Sequence, residues 1–158
     1  MSAENYLQIL ADSLIKKKDI LTKLTELNDE QENIINQSEF DEKVFNKNVD
    51  DKAELIEKLI KLDEGFNSVF ERVKEQLNGN MAAYASQIKE MQGLIKEVTD
   101  LAAQVEAKEN RNKNLVENKF AAMRREIGNA KRSTQMANTY YKNMNKLNYE
   151  PQFMDKKK

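Results

Sequence analysis

The strongest constraint on the fold is the spacing of apolar residues in the first third of the chain, where they recur every three or four positions. This period matches one face of an α-helix and predicts a first amphipathic helix over residues 3–36. Polar residues occupy three of the same positions, where they are expected to weaken the contact between helices while fixing its register. The apolar members include Leu7, Leu10, Leu14, Leu21, Leu24 and Ile35, and the polar ones are Lys17, Asn28 and Gln31.

A second helix is predicted to begin near Asp50 or Asp51, because acidic side chains are favoured at a helix N-terminus. Gly65 lies within it and is expected to mark close packing against another helix. The segment before this helix is interpreted as a connector with one or two helical turns, for which Ser38 is the candidate N-cap.

The sequence Asn78-Gly79-Asn80 is the clearest break in the chain. Gly79 can adopt a positive φ angle after a helix, and Asn80 can start the next one. A third helix is therefore predicted from Asn80 to Gly128. The polar run 106–114 interrupts its apolar stripe without Gly or Pro, so we interpret that run as a solvated stretch that projects beyond the two shorter helices.

Turn-forming residues are too scarce for a β-sheet protein, since the 158 residues include four glycines and one proline. The predicted fold class is therefore all-α. We expect an elongated antiparallel bundle or coiled coil of three long helices in residues 1–128. A tail follows in residues 129–158, and part of it can form a short helix.

The absence of His and Cys removes the usual nucleophile–base pairs and the usual zinc ligands. Paired acids such as Asp29-Glu30 point about 100° apart on a helix and are better explained as solvated faces than as metal ligands. We therefore expect no enzyme activity, no cofactor and no metal. The chain shows no signal peptide and no apolar stretch of membrane-spanning length, so a cytoplasmic protein without membrane insertion is expected.

The tail combines positive charge with apolar side chains. Residues 115–158 hold 10 basic and 4 acidic residues, whereas residues 1–114 hold 16 and 23. Flexible methionine and large tyrosine side chains suit a surface that binds a partner. The predicted helical face for such binding consists of Met136, Tyr140, Tyr141, Met144 and Leu147.

Other interpretations of the tail stay open. It can instead fold back and complete its own bundle, or alternate between that position and a partner. Nucleic-acid binding is disfavoured by a pI of about 5.7 and by the lack of a recognised motif. A bundle of three helices is thin, so a homodimer is also possible.

The leucine-rich first helix and the second-helix sequence KAELIEKLIKLDEGF (52–66), followed by a third long helix, resemble the FlgN/FliT-like flagellar export chaperones. Tyr140-Tyr141, followed by Phe153-Met154-Asp155-Lys156-Lys157, looks like the carboxyl end of FlgN-like proteins, so that branch is favoured. The resemblance covers nearly the whole chain.

This resemblance implies a cytoplasmic protein that binds the terminal helices of hook-associated (hook–filament junction) proteins. Such chaperones prevent premature assembly and deliver their clients to the flagellar type III export apparatus, so export-gate components are further possible partners. Because the carboxyl-terminal segment binds the client in that family, the resemblance adds Tyr149 and Phe153 to the five candidates above. The alternative is a helical adaptor or dimerisation protein without an export client.

Overall fold

The structure, a computed structural model, describes residues 2–126 and 131–147. Within these residues it is all-helical and contains no strand, which confirms the predicted fold class. The described residues form four α-helices: three long ones, and a shorter one in the segment predicted as a tail that can form a short helix. They are α1 (Ala3–Asn36), α2 (Glu42–Leu77), α3 (Ala85–Glu126) and α4 (Lys131–Met144).

Helix α1 has the bounds that its apolar period predicts. The Ser2 hydroxyl caps it by accepting a hydrogen bond from the Asn5 backbone N–H, 3.3 Å away. All six leucine and isoleucine residues named for its stripe are buried, and so are the three polar residues that interrupt the stripe. The 3–4 period therefore identifies the buried face of α1 irrespective of side-chain polarity.

Helix α2 begins at Glu42, about eight residues before the predicted start, and Asp41 rather than Ser38 is its N-cap. The Asp41 carboxylate accepts a hydrogen bond from the Val44 backbone N–H at 3.2 Å. Most of the expected connector is thus the first two turns of the helix. The early start is stabilised by Phe45, which is buried and packs its ring against those of Phe40 and Phe120, with ring centroids 5.5 and 5.1 Å away.

The break between α2 and α3 is where it was expected. Gly79 has a φ of +83°, which confirms the predicted positive-φ residue after the helix. A short 3-10 helix (Met81–Tyr84) follows and leads into α3. The expectation for Gly65 is wrong, because this residue is exposed and a Cβ atom built on it would meet nothing within 4 Å.

The helices alternate in direction, and α1 packs against both α2 and α3. The polar run 106–114 does not project into solvent, contrary to the sequence interpretation. Glu109 and Asn112 within it are buried, and beyond it Val116 and Phe120 are buried as well. The run stays in the bundle because α1 and α2 place polar side chains opposite it. The expected end of the third helix, at Gly128, lies outside the described residues.

Candidate partner-binding site

Helix α4 folds back on the bundle and lies along α2 and α3. It runs parallel to α2, since Ser133 pairs with Asn46 near the start of α2 (Oγ to Oδ1, 2.9 Å). The Arg124 guanidinium on α3 donates a hydrogen bond to the Thr134 hydroxyl, 3.3 Å away. We call the surface of α2 and α3 that α4 covers the α4 groove. Its edges are lined by Val49, Asp50 and Ala53 of α2 and by Glu109, Asn110 and Lys113 of α3.

Four of the five candidates in the described part of the tail lie on one side of α4, and the fifth, Leu147, lies three residues beyond its end. All five are partly or fully buried. Tyr140 and Met144 are 2% and 6% exposed, whereas Met136, Tyr141 and Leu147 are half-buried. Four residues of the predicted helical face are therefore on one helix, and this face packs on the protein's own bundle. The two remaining candidates, Tyr149 and Phe153, lie outside the described residues.

An ion pair is buried beneath α4. The Lys52 ammonium lies 2.5 Å from Oε1 of Glu109, and these side chains are 0% and 2% exposed. Lys52 also donates a hydrogen bond to Oε1 of Gln31 at 3.1 Å. The pair thus joins α1, α2 and α3 at one level of the bundle.

Tyr140 extends this cluster to the fourth helix. Its hydroxyl donates a hydrogen bond to Oε2 of Glu109, and its ring lies over the Lys52 ammonium, 4.3 Å from Nζ to the ring centroid. One tyrosine side chain therefore contacts both charges, through its hydroxyl and through its π face. We call Gln31, Lys52, Glu109 and Tyr140 the polar cluster.

Buried asparagines form further hydrogen bonds between helices next to the polar cluster. Asn112 donates to the backbone carbonyl of Asn28 at 2.8 Å and to Oε1 of Gln31 at 3.2 Å. Asn48 donates to the backbone carbonyl of Leu27 at 2.9 Å. Each of these bonds joins two helices at a defined level, so they restrict sliding of one helix along another.

Burial governs the electrostatics of the site. It lowers the pKa of Lys52, while the neighbouring Glu109 carboxylate opposes that shift. Burial also raises the pKa of the Tyr141 hydroxyl, and the negative charges of Glu109 and Glu117 add to the rise. Lys113 lies 5.8 Å from the centroid of the Tyr141 ring.

Two clefts flank α4 where it meets the bundle. One, of about 240 Å³, lies on the α3 side and is lined by Lys113, Tyr141 and Met144 among others. The other, of about 360 Å³, lies on the α2 side and is lined by Asp50, Met136 and Tyr140 among others. Part of the α4 face is therefore open to solvent at its edges while its centre is buried.

Neither Lys52 nor Glu109 is among the functional residues predicted from the sequence. A signal was nevertheless present, because Lys52 continues the 3–4 spacing of Val49, Ile56 and Leu59. Glu109 and Asn112 likewise fall between Val105 and Val116 at intervals of four, three and four. A charged residue at a stripe position, facing another on a neighbouring helix, is the pattern that would have identified the pair.

The described residues bring together no group of three acidic side chains that could hold a metal ion. Across residues 2–126 and 131–147, none of the helices has an apolar stretch long enough to cross a membrane. The site itself is a helix docked on the bundle through a mixed apolar and charged surface.

Comparison with known proteins identifies the family. The chain matches the family described as FlgN protein over residues 1–147, a range that includes all four helices. No curated protein and no solved structure matches it. The protein therefore belongs to the FlgN family of flagellar export chaperones.

Proposed function

We propose that the protein binds the terminal helices of hook-associated proteins in the cytoplasm, keeps them from assembling early and delivers them to the flagellar type III export apparatus. We further propose that the client helix is bound by the apolar face of α4, formed by Met136, Tyr140, Tyr141 and Met144, together with Leu147 just beyond the end of the helix. Tyr149 and Phe153 extend this surface in the proposal.

The observation that carries the proposal is the position of that face. Tyr140 and Met144 are buried against the bundle through contacts that a second amphipathic helix can also make. Burying such a side chain contributes roughly 1.5–3 kcal/mol wherever it occurs. Exchange of α4 from its own bundle to a client therefore replaces one set of apolar contacts with a similar set, which favours reversible binding.

The length of α4 supports the same conclusion. It has 14 residues, and isolated helices of about 12–15 residues are marginal in water. Its helical structure therefore depends on a surface to pack against, supplied by the α4 groove or by a client. Such a segment can leave the bundle without unfolding α1–α3.

A covalent lock on α4 tests the proposal. Asp50 on α2 and Thr139 on α4 are exposed and line the same cleft, and the native chain has no cysteine. The variant Asp50→Cys/Thr139→Cys can therefore be joined by a bismaleimide, with each single-cysteine variant treated alike as the control. Purified hook-associated proteins of the source bacterium are then titrated calorimetrically into the locked and unlocked proteins.

We expect the unlocked protein to bind at least one hook-associated protein and the lock to weaken that binding at least tenfold, which is about 1.4 kcal/mol. Equal binding by both forms would overturn the assignment of the site to α4. Failure of every hook-associated protein to bind either form would overturn the client assignment and favour the adaptor without an export client.

A further inference from the structure

We infer that the Lys52–Glu109 pair makes the α4 groove selective. The groove accepts a helix that presents a hydrogen-bond donor at the position of the Tyr140 hydroxyl, and it rejects a helix that is purely apolar at that position. This selectivity concerns the docking of α4 on its own bundle and does not rest on the proposed client. It assigns Glu109 as the specificity-determining residue of the groove.

The hydrogen-bonding capacity of the pair explains the requirement. Glu109 has two carboxylate oxygens: Oε1 accepts from the Lys52 ammonium, and Oε2 accepts from the Tyr140 hydroxyl. Lys52 is shared between Glu109 and Gln31 and lies beneath the Tyr140 ring. Removing the hydroxyl leaves a carboxylate oxygen without this donor, which is costly because the Glu109 side chain is only 2% exposed to solvent.

The next residue in the chain is a natural comparison. Tyr141 also has a buried hydroxyl, yet that hydroxyl has no hydrogen-bond partner among the described residues. Its ring packs against the ring of Tyr140, with centroids 5.2 Å apart. Two adjacent tyrosines on one helix thus share the same chemistry and differ in whether the hydroxyl meets Glu109.

The position of the pair also fixes the register of α4. Sliding α4 along the groove by one turn moves the Tyr140 hydroxyl by about 5.4 Å, out of reach of Glu109. Met136 and Met144, which lie one turn away on either side, offer thioethers that cannot donate. A buried polar group that specifies register is a well-attested use of such pairs.

The test compares Tyr140→Phe with Tyr141→Phe, each in the full-length protein. Amide hydrogen exchange in residues 131–144 gives the equilibrium constant for opening of α4, and the amides of α1 report whether the rest of the bundle is intact. We expect Tyr140→Phe to increase opening roughly ten- to a hundredfold, since its hydroxyl bonds a charged acceptor. We expect Tyr141→Phe to leave opening unchanged or to decrease it.

Equal effects of the two substitutions, or no effect of Tyr140→Phe, would overturn the inference. A second measurement separates selectivity from a general structural role. In the background Lys52→Met/Glu109→Met the buried charges beneath α4 are absent. The preference at position 140 should therefore reverse, so that α4 with Phe docks at least as well as α4 with Tyr. An unchanged preference for Tyr in that background would also contradict the inference.

If the double methionine variant fails to fold, the effect of Tyr140→Phe is measured in the background Glu109→Gln instead. The amide keeps the shape of the side chain but accepts a weaker hydrogen bond than a carboxylate. The increase in opening caused by Tyr140→Phe should therefore shrink at least threefold relative to the native background. An increase of the same size in both backgrounds would count against Glu109 as the determinant.

Discussion

The Lys52 ammonium on α2 and the Glu109 carboxylate on α3 are in contact at 2.5 Å with almost no exposure to solvent, although 57 positions separate them in the chain. Removing one member of a buried pair leaves an uncompensated charge, whereas replacing both with apolar residues of similar size is often neutral. We expect Lys52→Met and Glu109→Met each to lower the free energy of unfolding by about 3–5 kcal/mol. The double variant should be more stable than either single one, as measured by urea denaturation.

An exposed pair on the same helix is the control for this prediction. Lys47 and Asp51 are in contact at 2.9 Å, with 76% and 41% of their side chains exposed. Lys47→Met should therefore change stability by no more than about 0.5 kcal/mol. The charges of Lys52 and Glu109 would not be coupled if the double variant Lys52→Met/Glu109→Met lost as much free energy of unfolding as the two single variants together.

The early start of α2 makes a prediction about two adjacent residues. Phe45 is fully buried between two other phenylalanine rings, whereas Val44 is 44% exposed. Phe45→Ala is expected to cost about 3–5 kcal/mol of unfolding free energy, and Val44→Ala no more than about 0.5 kcal/mol. Similar losses from both substitutions would contradict a helix that begins at Glu42 and presents Phe45 to the core.

Two glycines should respond to alanine in opposite directions. Gly65 lies inside α2 with free space around its Cα, so Gly65→Ala is expected to stabilise the protein by about 0.5–1 kcal/mol. Gly79 has a φ of +83°, so Gly79→Ala should destabilise it by about 1–2 kcal/mol. Thermal unfolding of the two variants, with the native chain as reference, checks both signs, and a loss of stability at Gly65 would contradict the exposed position.

The raised pKa of Tyr141 predicts a contribution to stability that depends on alkaline pH. Because this pKa lies above the ordinary value of about 10, the folded state retains a proton that the unfolded state releases. The contribution is fully present below pH 10 and is lost as pH rises toward the folded-state pKa. Urea denaturation between pH 8 and 11 should therefore show a steeper decline for the native chain than for Tyr141→Phe.

The lowered pKa of Lys52 contributes to the pH dependence of stability with the opposite sign, because its folded state releases a proton that the unfolded state retains. That contribution is common to the native chain and to Tyr141→Phe, so it cancels in the difference between their pH profiles. Parallel profiles for the two proteins would show that the Tyr141 hydroxyl is not shielded from solvent.

The bounds of α1 could be predicted from the sequence because one 3–4 spacing, with polar residues at three of its positions, runs from Leu7 to Ile35 and ends before a polar segment. The start of α2 could not, since acidic residues suited to a helix N-terminus occur at both 41–42 and 50–51. What decides between them is the contact of Phe45 with Phe120, about 75 positions away. Contacts between distant positions are invisible to a local pattern.

The same limit applies to the candidate site. Spacing alone placed Met136, Tyr140 and Met144 on one helical face, and the structure has them there. The surface that covers this face could not be predicted, because the spacing places Lys52 and Glu109 on buried stripes but does not show that the two residues face each other. Their pairing requires that α2 and α3 both pack on α1 with these two residues at the same level, which is a property of the tertiary fold.

The docking of α4 also has a consequence for the order of events during synthesis. The contacts of α4 join residues that lie far apart, such as Ser133 and Asn46, so they form after α1–α3 have been made. Protein synthesis adds about 5–20 residues per second, so the 18 residues between the end of α3 and the end of α4 are made in roughly one to four seconds. During that interval the α4 groove is uncovered, and water hydrates Lys52 and Glu109. A groove with these hydrated charges associates less readily with other nascent chains than a purely apolar groove would.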